Sequence, residues 1–163
     1  MSNSTRLDPA ERKPLLRLFY RDWRPTRLGR WANRFARWLT ALRISGKDMA
    51  VIEVRGRASG QRRSIPVVVA TVEGKRYLVS MLGSESDWVK NVEAAHGDAV
   101  LTQRGRRPVR LVGVPPVERA PILSAYVRVA TSGREHLPVE VGAPISEFEA
   151  IAERYPVYRI DPS

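Results

Sequence analysis

From Met49 onward the chain runs in short period-two stretches broken by tight turns, and that rhythm restricts its fold more than any other feature. Met49–Val54 predicts a strand, Ser64–Val72 a second, and Glu73-Gly74-Lys75 a turn into a third over Arg76–Leu82. Asp98–Arg104 and Arg107–Val114 predict a hairpin about Gly105, and Pro156–Ile160 a last strand. Between them, Ser84-Glu-Ser-Asp87 has the form of a capping box opening a helix over Asp87–Ala95, which Gly97 ends. Residues 117–130 suit a helix and residues 131–144 a loop. Ser146–Arg154 suits a short helix capped by Ser146, with Glu149 at its third position. Strands joined by hairpins, with helices among the later ones, indicate an α+β fold. Five or six short strands lose their edges most economically by closing into a small barrel.

The first part of the chain has a different period. Leu28, Trp31, Phe35, Trp38, Leu39 and Leu42 recur at spacings of three and four, and Arg30, Arg34 and Arg37 fall elsewhere on the wheel. That predicts an amphipathic helix over residues 27–43, stopped by Ser45-Gly46. Residues 1–46 hold 11 Lys/Arg against 3 Asp/Glu and six of the twelve aromatics; residues 47–163 hold 17 against 14. The expected organisation is a basic helical segment, 1–46, on a nearly balanced body, 47–163, within 163 residues that amount to one domain. The segment seeks an anionic partner: a membrane surface, an anionic ligand or nucleic acid. No nucleic-acid reading motif accompanies the charge, which argues against the last. There is no cysteine, so disulfides, thiolate metal sites and a thiol nucleophile are excluded; two histidines forty residues apart make a poor metal site. With no membrane-length apolar run and no signal-peptide core, the expected location is the cytoplasm.

The most informative stretch is Gly56-Arg57-Ala58-Ser59-Gly60-Gln61-Arg62-Arg63, between the first two strands of the body. Its glycines free the backbone to present N–H groups, and arginine forks suit phosphate or carboxylate oxygens. It reads equally as an anion-binding loop or as a solvated hairpin tip. Pro66 follows within a strand and belongs at an edge or beside a ligand. Trp88 and Asn91 share a helix face at i, i+3, a spacing that also suits a core tryptophan beside a surface asparagine. Tyr126, Tyr155 and Tyr158 could donate protons, though core or rim positions suit each equally. His96 precedes the helix-ending Gly97 and fits a contact at the helix C-terminus. His136 stands in a loop without a visible carboxylate partner.

Gly56-Arg57-Ala58-Ser59-Gly60-Gln61-Arg62-Arg63-Ser64-Ile65-Pro66 resembles the motif G-R-x-S-G-x-x-R-x-x-P, and Gly83…Asp87-Trp88-Val89-Lys90-Asn91 resembles its partner W-x-x-N. In order and spacing the two are similar to the deazaflavin-dependent nitroreductase family of actinobacteria, split β-barrel oxidoreductases that use coenzyme F420. The resemblance implies that Arg57, Ala58, Ser59, Gly60, Gln61 and Arg63 hold the cofactor's phosphate and acidic tail. It places Pro66, Val67 and Val68 near the deazaflavin ring, and Met81, Leu82, Gly83, Trp88 and Asn91 along the other side. It further implies hydride transfer from the reduced cofactor to a hydrophobic acceptor such as a quinone, with a proton from solvent or Tyr126. The family often has lysine where this chain has Ala58, and lysine or glycine-rich sequence where it has Met81-Leu82. FMN, with a single phosphate, is therefore an alternative cofactor, and a non-catalytic carrier of cofactor or lipid an alternative role. Residues 27–43 would meet an anionic membrane on the inner face of the plasma membrane, or pack on the barrel, or form a lid over a small hydrophobic substrate. The chain would be a monomer or a homodimer.

Overall fold

The computed structural model describes residues 20–21, 24–25, 48–130 and 134–163. The chain divides into two units, residues 1–45 and 46–163. In the first, Tyr20–Arg21 (β1) pairs antiparallel with Arg24–Pro25 (β2). The helix expected over residues 27–43 lies outside the described residues.

In the second unit six strands close into an antiparallel barrel of order β3-β4-β5-β8-β7-β6. They are β3 (Met49–Arg55), β4 (Arg62–Val72), β5 (Lys75–Val79), β6 (Asp98–Thr102), β7 (Arg106–Gly113) and β8 (Val157–Pro162). Three helices accompany them: α1 (Asp87–Ala94), α2 (Ala120–Val129) and α3 (Ile145–Ile151). The α+β barrel is thus the fold the sequence rhythm called for. Alternation sorts its side chains into two cores. Ile52, Val54, Val67, Val69, Leu78, Leu101, Val109, Leu111 and Ile160 fill the interior, where Val89 and Val92 of α1 join them. On the outside, Val68, Ala70, Tyr77, Val79 and Val157 meet Leu123 and Tyr126 of α2 and Phe148 of α3.

The turns explain the registers. Glu73 and Gly74 both have positive φ, 50° and 75°, as a two-residue hairpin requires, and they bring β5 back along β4. Gly97, φ 84°, ends the approach to β6 so close to β7 that an added Cβ would collide with the Leu111 carbonyl. Two expected caps are corrected. The N-cap of α1 is Ser86, not Ser84, and its hydroxyl lies 3.0 Å from that of buried Ser80 instead of bonding the helix. α3 starts at Ile145 behind Pro144, so Ser146 stands inside its first turn. β5 stops at Val79, three residues early, because the chain turns there: Gly83 N–H donates back to the Ser80 carbonyl at 3.1 Å.

Candidate functional site

The loop of residues 56–61 joins β3 to β4 and is closed by its own backbone. Gly56 N–H donates to the Gln61 carbonyl and Gly60 N–H to the Gly56 carbonyl, both at 2.8 Å, with Gly60 at φ 66°. A Cβ on Gly56 would stand 3.1 Å from Ser59 Oγ and 3.2 Å from the Gln61 carbonyl, so the loop cannot close this tightly around a larger residue. Arg57 then ties it to α1. Its backbone N–H and its Nη1 both donate to Asn91 Oδ1, at 3.1 and 2.9 Å. Its Nη2 donates to Asp87 Oδ1 at 2.9 Å and its Nη1 to the Asp87 carbonyl at 3.3 Å. Asn91 is 6% exposed. Arg57 and Asn91 are thus bonded to each other, because a buried amide oxygen needs donors and this guanidinium supplies one, while part of the Arg57 side chain stays exposed.

What the loop leaves available is different. Among the described residues no hydrogen bond uses the N–H of Ala58 or Ser59, and no carboxylate pairs with Arg63. The Arg63 Cγ covers Gly56, 3.5 Å from where a Cβ would be, and the side chain is exposed. Arg62 is mostly exposed and stands 3.6 Å from Glu53, which Arg106 holds more closely at 3.0 Å. The bond from Arg106 holds the Glu53 carboxyl below its ordinary pKa of 4.5, against the opposing effect of burial and with help from the charges of Arg106 and Arg62. Ser59, Gln61 and Gly60 are exposed beside these groups.

Beyond the loop, one side of β4 is unpaired over Arg62–Val68 among the described residues. Val69 N–H donates to the Asp48 carbonyl at 2.7 Å, and the Gly56–Gln61 bond continues the same register. Odd-numbered residues of β4 thus bond to β3, and the backbone groups of Ser64, Pro66 and Val68 turn to the other side. There the ladder to β5 ends at Val69 opposite Leu78. Pro66 fits this edge because its missing N–H would have pointed away from β3. The chain leaving β5 makes a compact turn, with Ser80 Oγ donating to the Gly83 carbonyl at 2.7 Å and Gly83 N–H to the Ser80 carbonyl at 3.1 Å. Gly83 sits at φ 80°, Met81 packs in the outer core with Val68, and Leu82 is 66% exposed.

Other expected residues are placed elsewhere. Val67 points into the barrel. Trp88 is half-buried on the ring of Tyr158, centroids 5.6 Å apart at 60°. Tyr126 is 2% exposed in the outer core, and burial pushes its pKa up to about 12. Tyr155 donates to the His136 carbonyl at 3.0 Å. Tyr158 donates to Glu93 Oε1 at 3.4 Å, and burial followed by that carboxylate raises its pKa to about 12. The His96 carbonyl, behind the end of α1, accepts from Arg110 at 2.9 Å. Asp87 and Ser80 escape sequence reasoning, since an exposed helix-start acid and a strand-end serine carry no signal of partners so far away in the chain.

A family model described as F420H(2)-dependent quinone reductase matches residues 27–141. No curated protein matches. Among solved structures, a domain-swapped dimer aligns at 15% identity and TM-score 0.51, over 80% of this chain and 99% of its own. An F420-H2 dependent reductase aligns at 16% identity and TM-score 0.47, over 70% of this chain and 94% of its own. A FAD-binding protein from Mesorhizobium loti aligns at 13% identity and TM-score 0.45, over 78% and 89%. The first of these three supports the split-barrel fold.

Proposed function

Since the chain belongs to the F420H(2)-dependent quinone reductase family, we propose that this F420-dependent reductase reduces a hydrophobic, quinone-like acceptor beside the unpaired edge of β4. The observation that carries the reading is the pairing of a free donor loop with an open strand edge. The N–H groups of Ala58 and Ser59 and the guanidinium of Arg63 have no partner among the described residues, and a few residues on, β4 loses its neighbour at Ser64–Val68. An anion suits the first and a planar group with hydrogen-bonding edges suits the second, so the residues present fit a cofactor with a phosphodiester and a carboxylate tail.

When bound, reduced F420 supplies a hydride to an electrophilic carbon of the acceptor. Arg63, aided by Arg62, would neutralise the anionic tail, and the loop N–H groups would orient it. The Arg57 tie to Asp87 and Asn91 fixes the loop so that this geometry exists before binding, which lowers the ordering cost. Pro66 keeps a competing strand off the edge. Val68 and Met81, packed in one cluster, present an apolar wall that excludes water, and Leu82 offers an exposed apolar surface to the acceptor. The tyrosines at 126, 155 and 158 are buried or bonded, so the proton that completes acceptor reduction comes from solvent.

Residues 27–43 would hold the enzyme against an anionic membrane on the cytoplasmic side, where a quinone acceptor is dissolved. No helix among the described residues is long and apolar enough to cross a membrane. The test is turnover: oxidation of reduced F420 by the purified chain in the presence of a short-chain quinone. Quinone-dependent oxidation supports the reading; binding of F420 without oxidation by any quinone sinks the acceptor assignment and favours a carrier.

A further inference from the structure

At the end of the barrel away from α1, two arginines on different walls, half-buried Arg76 and exposed Arg107, lie on the inward face. β5 and β6 are not neighbours: β8 and β7 separate them on one side, β4 and β3 on the other. Arg76 on β5 shares the inward face of Leu78, and its Nη1 donates to Oε1 of Gln103, just past β6, at 3.4 Å. A bond between those two strands has to cross the end of the barrel lumen. Arg107 precedes Val109 by two on β7 and so faces inward as well, and its positive charge acts on Arg76.

This arrangement is costly as it stands. Arg76 is half-buried, and no carboxylate among the described residues lies within ion-pair distance of either arginine. Burial, and then the charge of Arg107, hold the pKa of Arg76 below its ordinary value. Elsewhere on the barrel, Arg106, Arg110 and Arg159 each have a carboxylate partner at 2.7–3.0 Å. Two guanidiniums facing one lumen, one partly desolvated and neither compensated, are what a small anion would stabilise.

We propose that Arg76 and Arg107 form an oxyanion site in this end of the barrel, taking a single phosphate or carboxylate group. The site is separate from the loop of residues 56–61, which lies at the α1 end. The Gln103 carbonyl bond to Arg76 positions one fork, and Arg107 supplies the second.

The experiment is thermal unfolding of the full chain in inorganic phosphate against sodium chloride at equal ionic strength, with acetate and methyl phosphate as further arms. At 10 mM phosphate and a Kd on the order of 1 mM, Tm rises by about 3 °C. Arg107→Gln should raise Tm in chloride, because the repulsion is gone, and should lose the phosphate response. Arg76→Gln should lose the response too. The series is run in the Arg63→Ala background as well, which removes the loop's own anion contact at the other end; the response should persist there and be lost on adding Arg76→Gln or Arg107→Gln. Methyl phosphate acting as well as phosphate identifies the group as part of a larger ligand; a weaker effect identifies the free ion. A phosphate response that survives both Arg76→Gln and Arg107→Gln in the Arg63→Ala background, disappears in Arg63→Ala alone, or is absent from the wild type overturns the proposal.

Discussion

Asn91 Oδ1 accepts from both the backbone N–H and the side chain of Arg57, thirty-four residues earlier in the chain. One buried amide oxygen thereby fixes the start of the loop and the direction of its first arginine. Asn91→Ala removes that acceptor and strands two donors. The expected loss is about 2 kcal/mol of stability, read by urea denaturation. F420 binding should weaken as well, because the loop must then be ordered by the ligand; unchanged affinity in a folded Asn91→Ala protein would show that the tie does not serve the site.

Tyr126 lies in the outer core with its phenol protected from solvent. Tyr126→Phe keeps the ring and its packing, so kcat for quinone reduction should stay within about twofold of wild type, far from the loss of 100-fold or more expected for a general acid. A fall of that larger size, with the fold intact by circular dichroism, would restore the tyrosine to the reaction.

Gly97 combines positive φ with a backbone carbonyl where a side chain would begin. Gly97→Ala should cost about 3 kcal/mol, or leave the protein insoluble. Gly105, at φ 156°, has open space around it, so Gly105→Ala meets backbone strain without a collision and should cost less than Gly97→Ala in the same thermal melt.

Glu53 links acid stability to the barrel wall. Its folded pKa is depressed, chiefly by the Arg106 hydrogen bond, so its contribution is present above the unfolded value of 4.5 and is lost as pH falls through the folded value. With Arg106 more than half exposed, the contribution is about 1 kcal/mol or less. Glu53→Gln should flatten the stability–pH curve below pH 4.5 and lower the plateau above it, as followed by urea midpoints; an unaltered slope would assign the acid loss to other carboxylates.

Much of the barrel is legible in the sequence because its determinants are local. Period-two burial in Met49–Arg55, the positive-φ pair Glu73-Gly74 and the stop at Gly97 each fix an element from a few neighbouring residues. Pro66 announces an edge for the same reason: a missing donor is a local fact. The site is only partly legible because arginine is ambiguous until its partner is known. Arg57 and Arg63 look alike in the loop motif, yet one meets Asp87 and Asn91 and the other meets no partner among the described residues. Trp88 and Asn91 do sit close together on α1, but their partners are Tyr158 and Arg57, contacts that no helix periodicity encodes. The Ser84 cap fails similarly, since Ser86 is drawn to Ser80 across the turn that closes at Gly83.

The most direct test is a fluorescence titration of the purified chain with F420, and separately with FMN, repeated with Arg63→Ala. Arg63 is exposed and unpaired among the described residues, so its removal should change stability by no more than about 0.5 kcal/mol. F420 binding should be preferred over FMN, be weakened at least about tenfold by Arg63→Ala, and lose that difference in high salt. Equal F420 affinity in wild type and Arg63→Ala, or a preference for FMN, would contradict the placement of the cofactor at this loop and edge.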